Sequence, residues 1–313
     1  MGSPLLSIVI ANYNYGRFLE EAIQSVVAQD MGDKIELIIC DAASTDNSVE
    51  IIKKYANGLP PNTHYSEWQT NQTIQTQSSQ LITWWCSEKD GGQSAAFNKG
   101  FSHAHGRFLT WLNADDVILP GVLKKLELAI RNCPACEWFV GGVLWLDSEM
   151  RIIRCGRGRE FSNLRYKCGN VSVWGPSSFF SKRLFETVGG VDERFCYTMD
   201  TDLWLRFACR GGACYKPFVD YAWGLRMHPD AKMSGHNFVA GSNAYQGGLF
   251  GSDVKSKTKQ LQLEKERTWR NEYFKQKKMN LLTRILSVSW FKTLAGYMDT
   301  FRYKGQCYTE IFK

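Results

Sequence analysis

Short apolar runs alternate with longer amphipathic segments over the first third of the chain. Four of the runs have the length and the continuous apolar character of buried strands: Leu5–Ile10, Ile35–Cys40, Ile82–Cys86 and Phe108–Leu112. The segments Tyr15–Gln29, Gln93–Ala104 and Leu119–Arg131 have the length of helices, and another helix is expected after Asp46, a good N-cap. Strands alternating with such helices predict an α/β fold with a mostly parallel, doubly wound sheet flanked by helices.

The rest of the chain is less regular. We expect these strands and helices: strands over Trp138–Leu146, Ile152–Cys155 and Tyr215–Tyr221, and helices near Lys182–Val188, over Leu203–Cys209, over Asp253–Lys278 and over Leu281–Tyr297. Asp200 and Asp202 stand at the start of the helix that contains Leu203. Asn57–Gln80 has two adjacent prolines and a Gln/Thr/Ser-rich stretch, which predicts an irregular surface excursion. A loop is expected to end at Arg226–Pro229.

A polar cluster follows each of the four N-terminal apolar runs directly. The clusters are Ala11–Asn14, Asp41–Asp46, Ser87–Gln93 and Asn113–Asp116. Loops that leave the carboxyl ends of parallel strands face one crevice, where ligands bind. Several carboxylates at one rim repel each other unless a cation or a ligand with hydrogen-bond donors lies among them. The pattern therefore indicates a nucleotide site with a divalent metal.

Composition and charge narrow the class of protein. The 313 residues are 44% apolar and 22% charged, which is typical of a globular chain, and no apolar run is long enough to span a membrane. No secretory signal is visible, and ten scattered cysteines fit reduced thiols, so we expect a cytoplasmic protein. From Asp253 onward, 14 basic residues face 6 acidic ones, which suits an anionic surface, either lipid headgroups or nucleic acid.

The order of the motifs resembles that of the family 2 glycosyltransferases, which have the GT-A fold. The matching motifs are Ser7–Asn14, Asp41–Asp46, Glu88–Gly100, Leu112–Asp116 and Pro176–Leu205. The resemblance implies a GT-A domain over residues 1–250, with a nucleotide-binding half (1–118) and an acceptor half (119–250), followed by a basic helical extension (251–313). It also implies an inverting enzyme that moves a sugar from a nucleotide-diphospho-sugar, expected to be a UDP-sugar, to a hydroxyl of a glycan or glycolipid.

The family's donor site implies roles for residues of the first half. The residues expected to bind the nucleotide-sugar are Ala11, Tyr13, Asn14, Asp41, Asp90, Gln93, Asn113 and Asp115. Asp115, Asp116 and His228 are expected to hold Mn²⁺ or Mg²⁺, with capping of the following helix as the alternative for Asp116. Relatives often have two glycines where this chain has Ala42-Ala43, and alanine there costs energy if the backbone needs a positive φ.

The family's acceptor side implies roles for residues of the second half. Asp200 aligns with the general base that deprotonates the acceptor hydroxyl, and Asp202 with a structural helix cap; the alternative is that both carboxylates cap the helix. Trp174, Pro176 and Ser177 are expected to shape the acceptor pocket. Arg226 is expected to hold a phosphate, although a structural role for Arg226 and His228 is about equally compatible with the sequence.

Other functions fit parts of the sequence. A nucleotide-sugar-binding module without turnover would keep the fold, but it would not need the carboxylates of Asp115, Asp116 and Asp200. A sugar-phosphate nucleotidyltransferase would have a Gly-rich basic loop after the first strand, where this chain has Ala11–Asn14. A nucleic-acid role for the tail is disfavoured because acidic residues are interspersed there, and peripheral contact with the inner face of the cell membrane is the preferred interpretation. The sugar, the acceptor, the linkage and the oligomeric state are left open.

Overall fold

The structure is a computed structural model that describes residues 3–66, 81–158, 173–195, 199–209, 215–231 and 288–311. The predicted helix over Asp253–Lys278, the start of the predicted helix over Leu281–Tyr297 and most of the predicted excursion over Asn57–Gln80 lie outside these residues. The expected boundary at residue 250 also lies outside them, so the division into domains stays a prediction.

The described strands form two sheets. Their bounds are β1 Leu6–Asn12, β2 Ile35–Asp41, β3 Ile82–Ser87, β4 Phe108–Asn113, β5 Val117–Ile118, β6 Trp138–Val140, β7 Val143–Leu146, β8 Ile152–Gly156, β9 Ser178–Ser181, β10 Tyr215–Pro217 and β11 Trp223–Arg226. A seven-stranded sheet has the order β10-β6-β9-β4-β1-β2-β3, and a four-stranded sheet has the order β5-β11-β7-β8. Strands β1 to β4 pair in parallel, while β9 runs antiparallel to both β4 and β6. The predicted mixed α/β fold with a mostly parallel sheet is confirmed.

Helices connect the parallel strands. Their bounds are α1 Gly16–Val27, α2 Ser48–Tyr55, α3 Gln93–Ser102, α4 Val122–Asn132, α5 Lys182–Thr187, α6 Met199–Cys209, α7 Val288–Tyr303 and α8 Tyr308–Ile311. Helix α1 buries Leu19, Ala22, Ile23 and Val26, the stripe that its sequence predicts. Asp46 accepts hydrogen bonds from the backbone N–H and the hydroxyl of Ser48, the first residue of α2. Asn47 holds the formal N-cap position, but its side chain makes no capping hydrogen bond.

Three of the expected elements in the second half were wrong. The strand expected over Trp138–Leu146 is interrupted at Gly141-Gly142, so β6 and β7 belong to different sheets. A side chain at Gly142 would lie 2.0 Å from the Asp220 carbonyl oxygen, because two backbones meet there. The strand expected over Tyr215–Tyr221 ends at Pro217, and the loop expected before His228 contains β11. Each error reflects pairing with distant segments, which local patterns do not reveal.

The large sheet buries an apolar core on each of its faces. Ile8 and Ile10 of β1 pack into one core and Val9 packs into the other, as the alternation of side chains along a strand requires. The second core is rich in aromatic rings, and the indole of Trp204 stacks on Trp111 with ring centroids 5.3 Å apart. This stacking fixes α6 against the strand that ends at the polar cluster of Asn113–Asp116.

Helix α7 docks on the small sheet through buried and partly buried polar contacts. Arg157 Nε donates to Asp299 Oδ2 at 2.6 Å, and the Tyr221 hydroxyl donates to the same carboxylate. The backbone N–H of Cys155 donates to the Thr300 hydroxyl at 2.9 Å. The C-terminal end of the described chain is therefore part of the folded body. Among the described residues, no helix combines the length and the apolar character needed to cross a bilayer.

Candidate active site

The carboxyl ends of β1, β2 and β3 meet at the carboxylate of Asp41, which is buried. Asp41 Oδ1 accepts hydrogen bonds from Asn12 Nδ2 at 2.6 Å and from the Ser44 hydroxyl. Its Oδ2 accepts from the Ser44 backbone N–H at 3.0 Å and from the Ser87 hydroxyl at 2.6 Å. These four donors match the acceptor capacity of a carboxylate. A base N–H that contacts Asp41 would have to replace one of them.

The loop after β2 is held against the segment that follows β1. The Asn14 backbone N–H donates to the Ser44 hydroxyl at 2.8 Å, and Asn14 Oδ1 accepts from the backbone N–H of Thr45 at 2.8 Å. Ala43 has a φ of 57°, so the backbone does take the left-handed conformation that glycine favours. Tyr13 is 59% exposed beside this loop, and Ala11 is partly buried. The structure thus places Ala11, Tyr13 and Asn14 along one rim with the Asp41 loop.

A chain of hydrogen bonds joins α3 to the polar cluster after β4. Gln93 Nε2 donates to Asn113 Oδ1 at 2.9 Å, and Asn113 Nδ2 donates to Asp116 Oδ2 at 2.7 Å. Asp116 is fully buried, and its Oδ1 accepts from the backbone N–H of Arg226 at 3.0 Å. Burial, and then the adjacent charge of Asp115, raise the pKa of Asp116 well above its usual value. Asp116 therefore connects β4 to β11 inside the protein.

Asp115, the neighbour of Asp116 in the sequence, contacts His228. His228 Nε2 is 3.1 Å from Asp115 Oδ2, and both side chains are largely buried. The imidazole packs against Phe18 with ring centroids 4.6 Å apart and against Tyr15. Burial, and then the charge of Asp115, raise the pKa of Tyr15 to about 12. A carboxylate and an imidazole from separate segments of the chain thus lie side by side.

The donor atoms at this position fit a divalent metal. Asp115 offers a carboxylate oxygen and His228 an imidazole nitrogen, a set that suits Mn²⁺ better than Mg²⁺, which prefers oxygen ligands. A cation there would also relieve the repulsion between Asp115 and Asp116. Asp116 is less suited to a direct bond, because each of its oxygens already accepts a hydrogen bond.

The Arg226 side chain is buried and does not face solvent. Its Nε donates to the backbone oxygen of Asp115 at 3.0 Å, and its guanidinium forms an ion pair with Glu21 of α1. The guanidinium also lies over the Phe18 ring, 4.7 Å from its centroid. These contacts fix the position of Asp115, and the phosphate role expected for Arg226 stays a prediction.

Asp90 lies in the turn that leads into α3. Its Oδ1 accepts a hydrogen bond from the backbone N–H of Gly92 at 2.8 Å, which closes a tight turn. Gly92 has a φ of 103°, a conformation that only glycine adopts without strain. The turn sets Gln93 at the first position of α3, where it reaches Asn113.

Asp200 lies near the three residues expected to shape the acceptor pocket. A Cβ at Gly175 would be 3.7 Å from Asp200 Oδ2 and 3.5 Å from the indole nitrogen of Trp111 on β4. Gly175 belongs to the short 3₁₀ turn Gly175–Ser177, in which Pro176 and Ser177 are buried. The Trp174 carbonyl accepts from the Ser177 hydroxyl at 2.8 Å. The structure therefore brings Asp200, Trp174, Pro176 and Ser177 together beside β4.

The second carboxylate of α6 has a different environment. Asp202 is buried, and its Oδ2 accepts from Arg206 Nε at 2.7 Å, one helical turn along. Arg206 Nη1 in turn donates to the backbone oxygens of Val188 and Gly190. Asp202 therefore fixes α6 to the end of α5, while Asp200 is only partly buried.

Comparison with known proteins decides the family. Residues 7–188 match the family described as Glycosyl transferase family 2, and this span is more than half of the chain. The chain belongs to glycosyl transferase family 2. The resemblance inferred from the motifs is thereby confirmed, as is the expectation of a transferase at the level of the family.

Individual members of family 2 align over parts of the chain. An uncharacterized glycosyltransferase of Nostoc sp. is 37% identical over 121 residues, which are 39% of this chain and 31% of that protein. One from Methanocaldococcus jannaschii is 25% identical over 215 residues, which are 66% of this chain and 65% of that protein. The chain thus matches less than two thirds of the length of either relative.

Solved structures support the GT-A-type fold. The crystal structure of S. aureus TarS is 15% identical, covers 94% of this chain and 49% of that chain, and has a TM-score of 0.55. The crystal structure of S. aureus TarS 1-349 in complex with UDP-GlcNAc has a TM-score of 0.54 at 15% identity, over 94% of this chain and 81% of that chain. At 15% identity, the similarity to these two structures shows the fold alone.

Several residues of the site were not singled out from the sequence. Asn12, Ser44 and Ser87 donate to Asp41, and each of them lies in a polar cluster that follows a strand. Their position was therefore a usable signal. Glu21 had no such signal, because an acidic residue on a helix is usually solvated and its partner Arg226 is 205 positions away.

Proposed function

We propose that this family 2 member transfers a sugar from a UDP-sugar to a hydroxyl of a glycan or lipid-linked acceptor, with inversion at the anomeric carbon. The observation that supports the proposal best is the pairing of Asp115 with His228 directly after β4. Asp200 lies next to Gly175, which also packs against Trp111 of β4. A TarS fragment of the same fold was crystallised with UDP-GlcNAc, which makes UDP-sugars the first donors to test.

The donor would lie along the rim formed by the first three strands. Tyr13 is exposed and offers an aromatic face on which a base can stack. The left-handed turn at Ala43 and the Asp41 hydrogen bonds hold the loop that faces it. Gln93 and Asn113 continue the rim toward Asp115, and Asp90 fixes the turn before Gln93.

Asp115 and His228 are the side chains that would hold the divalent cation. When bound, the cation supplies Lewis-acid stabilisation of the charge on the departing diphosphate. The chain's own residues prepare this position, because Arg226 fixes the Asp115 backbone and Asp116 anchors the loop to β11. The partly buried rings of Phe18 and Tyr15 cover one side of the His228 imidazole.

Asp200 is proposed as the general base. The acceptor hydroxyl oxygen forms a bond to the anomeric carbon, while the bond between that carbon and the diphosphate oxygen breaks. The diphosphate leaves with the bonding electron pair, and Asp200 takes the proton of the acceptor hydroxyl. A single displacement of this kind inverts the configuration at the anomeric carbon. Trp174, Pro176 and Ser177 would position the acceptor, because they lie beside Asp200.

A thermal-shift panel tests the donor proposal. Nucleoside diphosphates with different bases are added to the protein with Mn²⁺, with Mg²⁺ or with a chelator. UDP with Mn²⁺ is expected to raise the melting temperature most, since a ligand at 100 times its Kd stabilises a protein by about 2.7 kcal/mol. The absence of a shift with UDP would overturn the donor assignment. A UDP shift that is the same in chelator would overturn the metal assignment.

The basic tail after Asp253 is proposed to contact the anionic cytoplasmic face of the membrane, near a lipid-linked acceptor. Its charge is the support for this role, at about 1 kcal/mol per basic residue close to an anionic surface. Sedimentation with anionic vesicles, but not with neutral ones, is the expected result. Salt-sensitive retention on DNA without vesicle binding would favour the nucleic-acid role instead.

A further inference from the structure

A second group of metal-ligating side chains lies at the amino ends of the parallel strands, opposite the carboxyl ends that form the proposed donor site. Glu36, His64 and His105 each offer one ligand atom, and these atoms lie within 4.8 Å of one another. Glu36 is near the amino end of β2, and Asp41 ends the same strand five residues later, which is roughly 16 Å away at 3.3 Å per residue. His105 lies between α3 and β4, and His64 lies between α2 and β3. The group is therefore separate from the donor rim.

The Glu36 carboxylate is buried, and one of its oxygens already accepts three hydrogen bonds. Its Oε1 accepts from the Ser7 hydroxyl at 2.6 Å and from the backbone N–H groups of His105 and Gly106. Its Oε2 accepts from the Thr83 hydroxyl at 3.1 Å and lies 3.6 Å from His105 Nδ1. Oε2 is thus the oxygen with room for a cation, and Oε1 is held in place as metal-binding carboxylates usually are.

The charge of this carboxylate needs a partner. Within the part of the chain that the structure describes, the one ion-pair partner of Glu36 is His105, which is charged only when protonated. A buried carboxylate that lacks a full positive charge nearby is costly, and a bound cation removes that cost.

The imidazoles of His64 and His105 lie next to each other and each has a nitrogen close to the Glu36 carboxylate. The rings of His64 and His105 lie 4.4 Å apart between centroids in an edge-to-face arrangement. The Ser66 hydroxyl is 3.1 Å from His64 Nδ1 and can fix the orientation of that ring. The His105 side chain is 55% exposed, which gives a metal ion a path from solvent.

A third imidazole lies nearby without belonging to the group. The His103 ring stacks on Trp84 with centroids 3.9 Å apart. Burial, and then the neighbouring His64 and His105, lower the pKa of His103. The stacking on Trp84 gives His103 a structural role of its own, and His103 offers no ligand atom to the group of Glu36, His64 and His105.

We propose that Glu36, His64 and His105 form a site for Zn²⁺ that is distinct from the donor-site metal. Two imidazole nitrogens and one carboxylate oxygen are a ligand set that Zn²⁺ favours, whereas Mg²⁺ and Ca²⁺ favour oxygen ligands alone. A water molecule would complete a tetrahedral shell. The bound ion ties the segment after α2 and the turn before β4 to the amino end of β2, so it stabilises this edge of the sheet.

Metal titration of the full chain tests the site. The protein is freed of metal with a chelator, no nucleotide is added, and Zn²⁺ binding is measured by calorimetry. Co²⁺ is added in parallel, because its visible absorption reports tetrahedral coordination. The wild type is expected to bind one Zn²⁺ at this group. His105→Ala is expected to weaken that binding by about 100-fold or more, since even second-shell changes cost 10–100-fold in metal affinity.

Matched variants separate this site from other histidines and from the donor metal. His103→Ala removes an imidazole two residues from His105 and is expected to leave Zn²⁺ affinity unchanged. Asp115→Asn is expected to leave it unchanged as well. Melting temperatures in chelator check that the variants fold. Because the His105 side chain is 55% exposed, His105→Ala is expected to disturb the fold little. Absence of Zn²⁺ binding in the wild type, or wild-type affinity in His105→Ala, would overturn the proposal.

Discussion

His228 Nε2 lies 3.1 Å from Asp115 Oδ2, although the two residues are 113 positions apart in the chain. The contact joins the loop after β4 to the segment after β11. Among the described residues, Nδ1 of His228 has no hydrogen-bond partner, so the polar contact that orients the ring is the one with Asp115. The pair is the part of the site on which the metal proposal depends.

Replacing His228 by alanine is expected to weaken the effect of Mn²⁺ on UDP binding. Loss of one ligand, or of the residue that orients the other, should cost about 10- to 100-fold in metal affinity. Calorimetric titration of Mn²⁺ at saturating UDP measures this effect. His103→Ala is the control, because it removes an imidazole that stacks on Trp84 elsewhere in the fold. Equal Mn²⁺ affinity in His228→Ala and His103→Ala would show that His228 plays no part in the metal site.

Ala43→Gly is expected to stabilise the protein. Alanine at a φ of 57° carries the cost of the left-handed conformation, about 1–2 kcal/mol, which glycine avoids. Glycine loses more backbone entropy on folding than alanine, which offsets about 0.5–1 kcal/mol of this stabilisation. Ala42→Gly is the matched control: Ala42 is not among the residues with positive φ, so only the entropic cost applies and stability should fall. Chemical denaturation of both variants measures the difference. A lower stability for Ala43→Gly than for Ala42→Gly would contradict the role given to this backbone conformation.

The order of strands and helices in the first half was predictable because each element there is long and strongly patterned. The polar clusters were predictable for the same reason, since they stand at the carboxyl ends of those strands. The partners of the site residues were not, because Glu21 meets Arg226, and Asp115 meets His228, only after distant segments pair. The short strand β11 also escaped prediction, because its position beside β7 depends on the glycine-lined contact at Gly142.

Asp299→Asn is expected to loosen the docking of α7 in a pH-dependent way. Burial opposes ionisation of Asp299, but hydrogen bonds from Arg157 and Tyr221 outweigh it and lower the pKa of the carboxyl. A carboxyl with a lowered pKa stabilises the fold above its unfolded pKa of about 3.9 and loses this contribution as the pH falls through the folded value. At neutral pH the loss should be about 1.5–3 kcal/mol, the usual contribution of a hydrogen bond to a charged group.

Thermal unfolding of the wild type and Asp299→Asn across the acid range measures this dependence. The difference in melting temperature should be constant near neutral pH and shrink below about pH 4. Asp220→Asn is a milder control, since the Asp220 side chain is 52% exposed and lies 3.3 Å from Arg157. A difference for Asp299→Asn that stays the same down to the lowest pH would contradict the ionised state assigned to Asp299.

The two aspartates of α6 give the most direct test of the proposed mechanism. Turnover of a UDP-sugar is measured for the wild type, Asp200→Asn and Asp202→Asn, together with melting temperature and UDP affinity. Asp200→Asn should keep its stability and UDP affinity and lose about 10²- to 10⁴-fold in kcat, the usual contribution of a general base. Asp202→Asn should lose stability with its Arg206 contact and keep its turnover per folded molecule. Wild-type turnover in Asp200→Asn would contradict the account.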